Sequence, residues 1–247
     1  MKKWLLHISA AVTAIIFVVL MLIYRSAGSA HRQGLECKGV SICVTDSVLN
    51  SFISSADVKK YLDTEYGNYL GCGIDSVDLN SIEDILKGKT AVLNSEVYVT
   101  KDGLLNISIT QRKPVVRFIG KNGGFYADEN GETFPLQKTY SSYVPVIDGD
   151  IPSETDSIRI RKMIRFVNYL ERSSRWKNKI VQITTDSTGN LTLIPREGQE
   201  KFIFGQAEDI ENKMDRMTLY YSHIIPEKGS QAYHSVDLRY DNQIICK

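Results

Sequence analysis

The chain has 247 residues, and its 30 basic residues nearly balance its 29 acidic ones, for a formal net charge of +1. A near-neutral protein has no broad electrostatic attraction for nucleic acid, so we expect no nucleic-acid partner. The length is sufficient for one large core or two smaller ones.

An apolar, uncharged segment covers residues 4–24. As a helix rising about 1.5 Å per residue it would extend about 31 Å, the thickness of a bilayer's hydrocarbon core. A signal peptide has a shorter apolar stretch, about 7–15 residues, followed by small residues such as those at 26–30. The length favours an uncleaved transmembrane helix at 4–24 over a signal peptide or a buried helix.

The region after this segment predicts a compact α+β unit. Residues 25–35 are small and polar, as in a linker. A strand, helices near 55–66 and 81–88, and two further strands follow. The last two strands are joined by Lys101-Asp102-Gly103, and Asp-Gly is a strong hairpin signal.

Lys113-Pro114 interrupts this pattern and predicts a joint between domains. Short strands with glycine-rich turns follow, and then a helix at about 156–172. Its apolar stripe is Ile160, Met163, Ile164, Val167 and Leu170. Three more strands, a helix at 207–223 and two closing strands at 232–240 and 243–246 complete the pattern.

No motif predicts catalysis or a cofactor. The histidines lie outside any nucleophile or metal motif, and they are His7, His31, His223 and His234. The cysteines have no zinc-site spacing, and they are Cys37, Cys43, Cys72 and Cys246. We therefore expect no catalytic residue, no cofactor, no metal and no small-molecule substrate.

The cysteines leave two interpretations open. Cys37 and Cys43 are predicted on one strand, roughly 20 Å apart, which is too far for a disulfide. In an oxidising compartment one of them could pair with Cys72. The alternative is that the cysteines are buried free thiols.

The last predicted strand, at 243–246, is a candidate partner-binding edge. It follows a short turn at Asp241-Asn242, and no later residues are present to pair with its second side. Unless an earlier strand occupies that side, its backbone groups are open to a strand from another protein. Paired tyrosines, such as Tyr233 and Tyr240, fit either an interface or core packing.

Three segments resemble the FtsQ/DivIB bacterial cell-division family: NSEVYVTKDGLLNISITQRKPVVRF at 94–118, YADENGETFP at 126–135 and SVDLRY at 235–240. The resemblance implies an α+β protein with one N-terminal transmembrane helix, a POTRA domain (β-α-α-β-β) and a mixed β domain with two helices. The implied divisions are a cytoplasmic N-terminus at 1–3, the transmembrane helix at 4–24, a linker at 25–35, the POTRA domain at 36–112 and the β domain at 113–247.

The same resemblance implies a non-enzymatic scaffold of the divisome. Such a protein crosses the inner membrane once, lies mostly in the periplasm, is enriched at the septum and helps control septal peptidoglycan synthesis. It recruits FtsB and FtsL, and a strand of FtsB pairs with the last strand. The matching positions are Tyr240, Gln243, Ile244, Ile245 and Cys246.

Two alternatives belong to other classes. A POTRA-containing outer-membrane assembly or secretion component would usually have tandem POTRA copies or a barrel. An envelope hydrolase would need a nucleophile and a base. For the scaffold hypothesis, Ile245→Pro is expected to abolish FtsB binding by removing an edge donor.

Overall fold

The computed structural model describes residues 15–23, 35–46, 51–88, 91–137 and 140–247. Residues 15–23 form a helix, α1, with exposed side chains. The rest of the predicted transmembrane segment 4–24, the N-terminus at 1–3 and most of the predicted linker lie outside these ranges. Within the described ranges, no helix combines the length and the apolar character needed to cross a bilayer.

The described chain forms two compact units, and residues 51 and 52 belong to the second together with 111–247. In the first unit the elements follow the predicted β-α-α-β-β order. They are β1 (Gly39–Val44), α2 (Ser55–Glu65), a 3-10 turn (Ile74–Ser76), α3 (Leu79–Gly88), β2 (Val92–Val99) and β3 (Leu104–Gln111).

The three strands of the first unit form one sheet in the order β1-β3-β2, with β1 parallel to β3. The central strand β3 alternates, so that Leu105, Ile107 and Ile109 are buried. Helix α2 begins at a capping box in which Ser54 and Asp57 exchange hydrogen bonds. Buried side chains at helical spacing on α2 and α3 complete this core, and they are Val58, Leu62, Ile82 and Leu86.

The second unit is a mixed nine-stranded sheet with helices. Its elements are β4 (Pro114–Gly120), β5 (Gly123–Asp128), β6 (Thr133–Pro135), β7 (Val146–Gly149), α4 (Ser157–Arg172), β8 (Ile180–Thr185), β9 (Leu191–Pro195), β10 (Lys201–Gly205), α5 (Ile210–Leu219), a π-helical turn (Tyr220–Ile224), α6 (Ile225–Lys228), β11 (Ser235–Asp237) and β12 (Ile245–Cys246). The strand order is β12-β11-β10-β9-β8-β7-β4-β5-β6. Strand β7 pairs in parallel with β4 and β8, and β11 pairs in parallel with β10.

The main core of the second unit lies between this sheet and the helices. All five residues of the predicted α4 stripe are buried in it, joined by Phe166. Met214, Met217 and Tyr220 bring the helical segment from α5 into the same core. The mixed α+β class predicted from the sequence is therefore confirmed.

An aromatic cluster in the second unit surrounds Phe52. Its ring makes edge-on contacts with Tyr126, Phe134 and Tyr140, at centroid distances of 5.2, 5.4 and 4.8 Å. The hydroxyl of Tyr126 accepts a hydrogen bond from the backbone N–H of Ser142. Tyr126 and Phe134 are opposite each other on β5 and β6, so the cluster covers one end of the sheet.

Candidate partner-binding edge

Strand β12 is the outermost strand at one end of the nine-stranded sheet. It pairs antiparallel with β11, placing Cys246 opposite Val236 and Ile245 opposite Asp237. Across the described ranges of the chain, no strand pairs with its other side. The sequence left open whether an earlier strand occupies this side, and in the described structure none does.

The register determines which backbone groups of β12 are open. Lys247 and Ser235 exchange two backbone hydrogen bonds, of 2.9 and 3.0 Å. In an antiparallel pair, every second residue directs its N–H and C=O toward the partner strand. Ile245 therefore faces β11 as Lys247 does, whereas Ile244 and Cys246 direct their backbone groups to the open side.

The side chains of this segment divide between the two faces of the sheet. Those of Ile244 and Cys246 are half-buried against the main core. Ile245 points to the opposite face because side chains alternate along a strand. Burial raises the pKa of the Cys246 thiol, which keeps it protonated near neutral pH.

Helix α5 positions the chain that leads into β12. The guanidinium of Arg216 is only 8% exposed; it donates to the carbonyl oxygen of Leu238 at 2.9 Å and also to that of Tyr240. One turn earlier, the ammonium of Lys213 donates to the carbonyl of Gln206 at 2.9 Å. Burial lowers the pKa of Lys213, and the charge of Arg216 lowers it further.

A second charged contact lies on β11, next to the edge. The guanidinium of Arg239 approaches the carboxylate of Asp237 to 2.7 Å. Hydrogen bonding from Arg239 lowers the pKa of Asp237 below its ordinary value, so the carboxylate is charged at neutral pH. The Arg239 guanidinium also lies 5.9 Å from the ring centre of Tyr240.

The predicted site residues occupy one continuous segment, but only part of it is strand. Ile245 and Cys246 form β12, while Gln243 is exposed and Ile244 precedes the strand. The side chain of Tyr240 is 50% exposed in the preceding bend. The predicted strand at 243–246 is thus shorter than expected.

Sequence reasoning missed Arg216. A signal was present, since Lys213 and Arg216 flank Met214 and Met217 on the apolar side of α5. Cations inside an apolar stripe need oxygen partners, and the carbonyls before β12 supply them. The sequence could not identify those partners because they lie more than 20 residues away.

Of the histidines predicted to be non-catalytic, His223 and His234 lie in the described ranges, and His7 and His31 lie outside them. His223 Nδ1 and Ser222 Oγ are 2.7 Å apart, and these two residues are exposed in the π-helical turn. Within the described ranges His223 contacts no carboxylate, which a hydrolytic triad would need to orient it. The same ranges contain no group of three or more side chains that could hold a metal ion.

Two family models match this chain. Residues 35–110 match a POTRA-like domain, and residues 113–247 match the model described as FtsQ/DivIB, C-terminal related. The second match covers more than half of the chain. The chain therefore belongs to the FtsQ/DivIB family, as its sequence motifs predicted.

Curated relatives include the ToxR-activated gene A lipoprotein from two strains of Vibrio cholerae serotype O1. Each is 27% identical over 143 residues, which cover 54% of this chain and 14% of the relative. The chain thus matches only about a seventh of the length of these relatives.

The family is named for proteins of bacterial cell division. The FtsQ/DivIB family is generally non-enzymatic.

Proposed function

We propose that this protein is a non-enzymatic, single-pass membrane scaffold of the divisome that binds FtsB and FtsL through the open side of β12. By linking early and late division proteins it helps control septal peptidoglycan synthesis. The observation that carries this proposal is the position of β12 at the end of the sheet, with the backbone groups of Ile244 and Cys246 directed outward. Strand addition needs such an unpaired edge.

The proposed arrangement in the membrane follows the family. Residues 1–3 are cytoplasmic, 4–24 cross the inner membrane and 25–35 form a linker. The POTRA domain at 36–112 and the β domain at 113–247 then lie in the periplasm. A fluorescent fusion should accumulate at midcell and lose this localisation when 25–112 is deleted.

An incoming FtsB strand would extend the sheet beside β12. Its backbone would pair with Ile244 and Cys246, whose side chains already contact the core. Apolar residues at alternate positions of the partner would continue that face, because side chains two apart share one side of a sheet. Tyr240 and Gln243, both exposed before the strand, are placed to contact the partner outside it.

The register of β12 against β11 decides which proline substitution tests FtsB binding. The Ile245 N–H faces β11, so Ile245→Pro would break the protein's own ladder and would not selectively remove an open donor. Cys246→Pro removes an outward N–H instead. Cys246→Ala is its matched control, since it loses the same thiol and keeps the N–H.

Binding of these variants to co-expressed FtsB and FtsL can be measured with the full-length proteins. We expect Cys246→Ala to bind nearly as the wild type, and Cys246→Pro to bind at least roughly tenfold more weakly through loss of a hydrogen bond and steric blocking. Denaturant unfolding of both variants verifies that the fold is retained. Equal affinities of folded Cys246→Pro and Cys246→Ala would refute the proposed edge.

A POTRA-like domain would also fit the alternative hypothesis, an outer-membrane assembly or secretion component. The match over 113–247 favours the divisome instead, because it covers the larger part of the chain and includes the proposed edge.

A further inference from the structure

Two cysteines in the first unit lie opposite each other at the start of the fold. Glu36 and Gly73 form an isolated antiparallel bridge. It is flanked by backbone hydrogen bonds from Ile74 N–H to Leu35 O and from Cys37 N–H to Cys72 O, both 2.9 Å. The next opposed pair is therefore Cys37 and Cys72.

A bulge completes this pair. The N–H of Gly71 donates to the carbonyl of Cys37 at 2.8 Å, and Gly71 has a φ of +76°. A glycine in this left-handed conformation followed by a residue facing the same partner is the G1 form of β-bulge. Cys72 is that following residue, so its side chain lies on the same side as that of Cys37.

The spacing of this pair suits a disulfide. Opposed residues of an antiparallel pair have Cα atoms about 4.5–5.5 Å apart, inside the usual disulfide range of about 4.4–6.8 Å. The two thiols now approach carbonyls on either side: Cys37 Sγ lies 3.7 Å from Gly39 O, and Cys72 Sγ lies 3.6 Å from Asn68 O. Because χ1 of a cysteine has three staggered positions, each sulfur has other positions available on the same backbone.

We infer that Cys37 and Cys72 are a site of intramolecular disulfide formation when the protein meets a disulfide oxidant. Cys43 is six residues along β1 and exposed, and Cys246 is in the second unit. Of the pairings open from the sequence, the backbone register selects this one.

Exposure sets the order of the reaction. Cys72 is partly exposed, whereas Cys37 is 1% exposed. The Cys72 thiolate attacks the oxidant's disulfide, forms a mixed disulfide and releases one oxidant thiol. The Cys37 thiolate then displaces the second oxidant thiol; the protein loses two protons and two electrons, and the oxidant's disulfide is reduced.

The cross-link would fix the first residues of the unit. Residues 35–38 are joined to the turn before α3 by a single bridge and a few backbone bonds, so they are prone to fray. A disulfide closes the loop that contains α2 and reduces the conformational freedom of the unfolded chain. Force or thermal motion at residue 35 would then be transmitted to the folded unit.

Thiol mapping of the full-length protein tests this inference without any partner. The protein is incubated with oxidised glutathione, denatured without reductant, alkylated with N-ethylmaleimide and digested for mass spectrometry. We expect a cross-linked peptide pair containing Cys37 and Cys72, and labelled Cys43 and Cys246. Reduction before alkylation should label all four.

Matched variants give a second measurement. After oxidation, adding a reductant should lower the unfolding temperature of the first unit by on the order of 10 °C in the wild type and in Cys43→Ser. In Cys72→Ser treated in the same way, the reductant should leave the unfolding temperature unchanged. Labelling of both Cys37 and Cys72 after oxidation, or a cross-link between any other pair, would overturn the inference.

Discussion

Replacing Arg216 by methionine tests whether α5 positions the edge strand. The change keeps most of the apolar stem of a side chain that is 8% exposed, and it removes both hydrogen bonds to Leu238 and Tyr240. Hydrogen bonds to a charged group contribute about 1.5–3 kcal/mol each. Relief of the cost of burying the charge offsets part of this loss.

The expected net result is a decrease of about 2–4 kcal/mol in the free energy of unfolding of the second unit. The loss should be concentrated at the end of the sheet. Hydrogen exchange of residues 238–247 should accelerate more than that of α4, because the carbonyls before β12 lose their partner.

Urea unfolding of the full-length protein, with exchange read by mass spectrometry, gives both quantities. Arg165→Met is the matched control, since Arg165 is exposed on α4 and its replacement should change stability by no more than about 0.5 kcal/mol. Unchanged exchange at 238–247 in Arg216→Met would refute the positioning role, whatever the change in stability.

Three further predictions concern the rest of the fold. Gly124→Ala should lower the free energy of unfolding by about 3 kcal/mol, because its Cβ would lie 2.1 Å from the carbonyl oxygen of Phe118. The control Gly88→Ala has open space around the new Cβ and should not lower it. Urea unfolding compares the two variants, and equal stability would contradict the steric argument. Tyr220→Phe should raise the free energy of unfolding by about 1 kcal/mol, since its buried hydroxyl has no hydrogen-bond partner among the described residues. A loss of stability in the same assay would show that the hydroxyl is satisfied. Burial raises the pKa of Asp186, but hydrogen bonds from its loop outweigh this and lower it to about 2 from an ordinary 3.8. The charged form therefore stabilises the fold above about pH 4, and the stability advantage over Asp186→Asn should fall between pH 4 and 2; a pH-independent difference would exclude this linkage.

Local patterns predicted the helices of the two compact units well, apart from the segment at 4–24. The stripe on α4 repeats at helical spacing over 16 residues, so its buried face could be read directly from the sequence. The helix predicted at 207–223 is instead divided into α5 and a π-helical turn. In a π-helical turn the backbone hydrogen bonds span one residue more than in an α-helix. This change leaves no distinct pattern of apolar residues, so the sequence could not show it.

The order of strands could not be predicted. Strand β7 lies between β4 and β8, and β10 pairs in parallel with β11 across an intervening helix. Such pairings depend on contacts distant in sequence, which alternation alone does not specify. The predicted strand at 232–240 is likewise reduced to Ser235–Asp237, and beyond its C-terminal end the carbonyls of Leu238 and Tyr240 accept hydrogen bonds from Arg216.

The strands become shorter toward the β12 edge of the sheet, from five residues in β10 to three in β11 and two in β12. A very short edge strand is a poor template for the same edge of another copy, because two chains pairing there would form too few hydrogen bonds to offset the loss of their freedom. The taper therefore limits self-association and aggregation through this edge. A longer β12 would pair more readily with any extended chain.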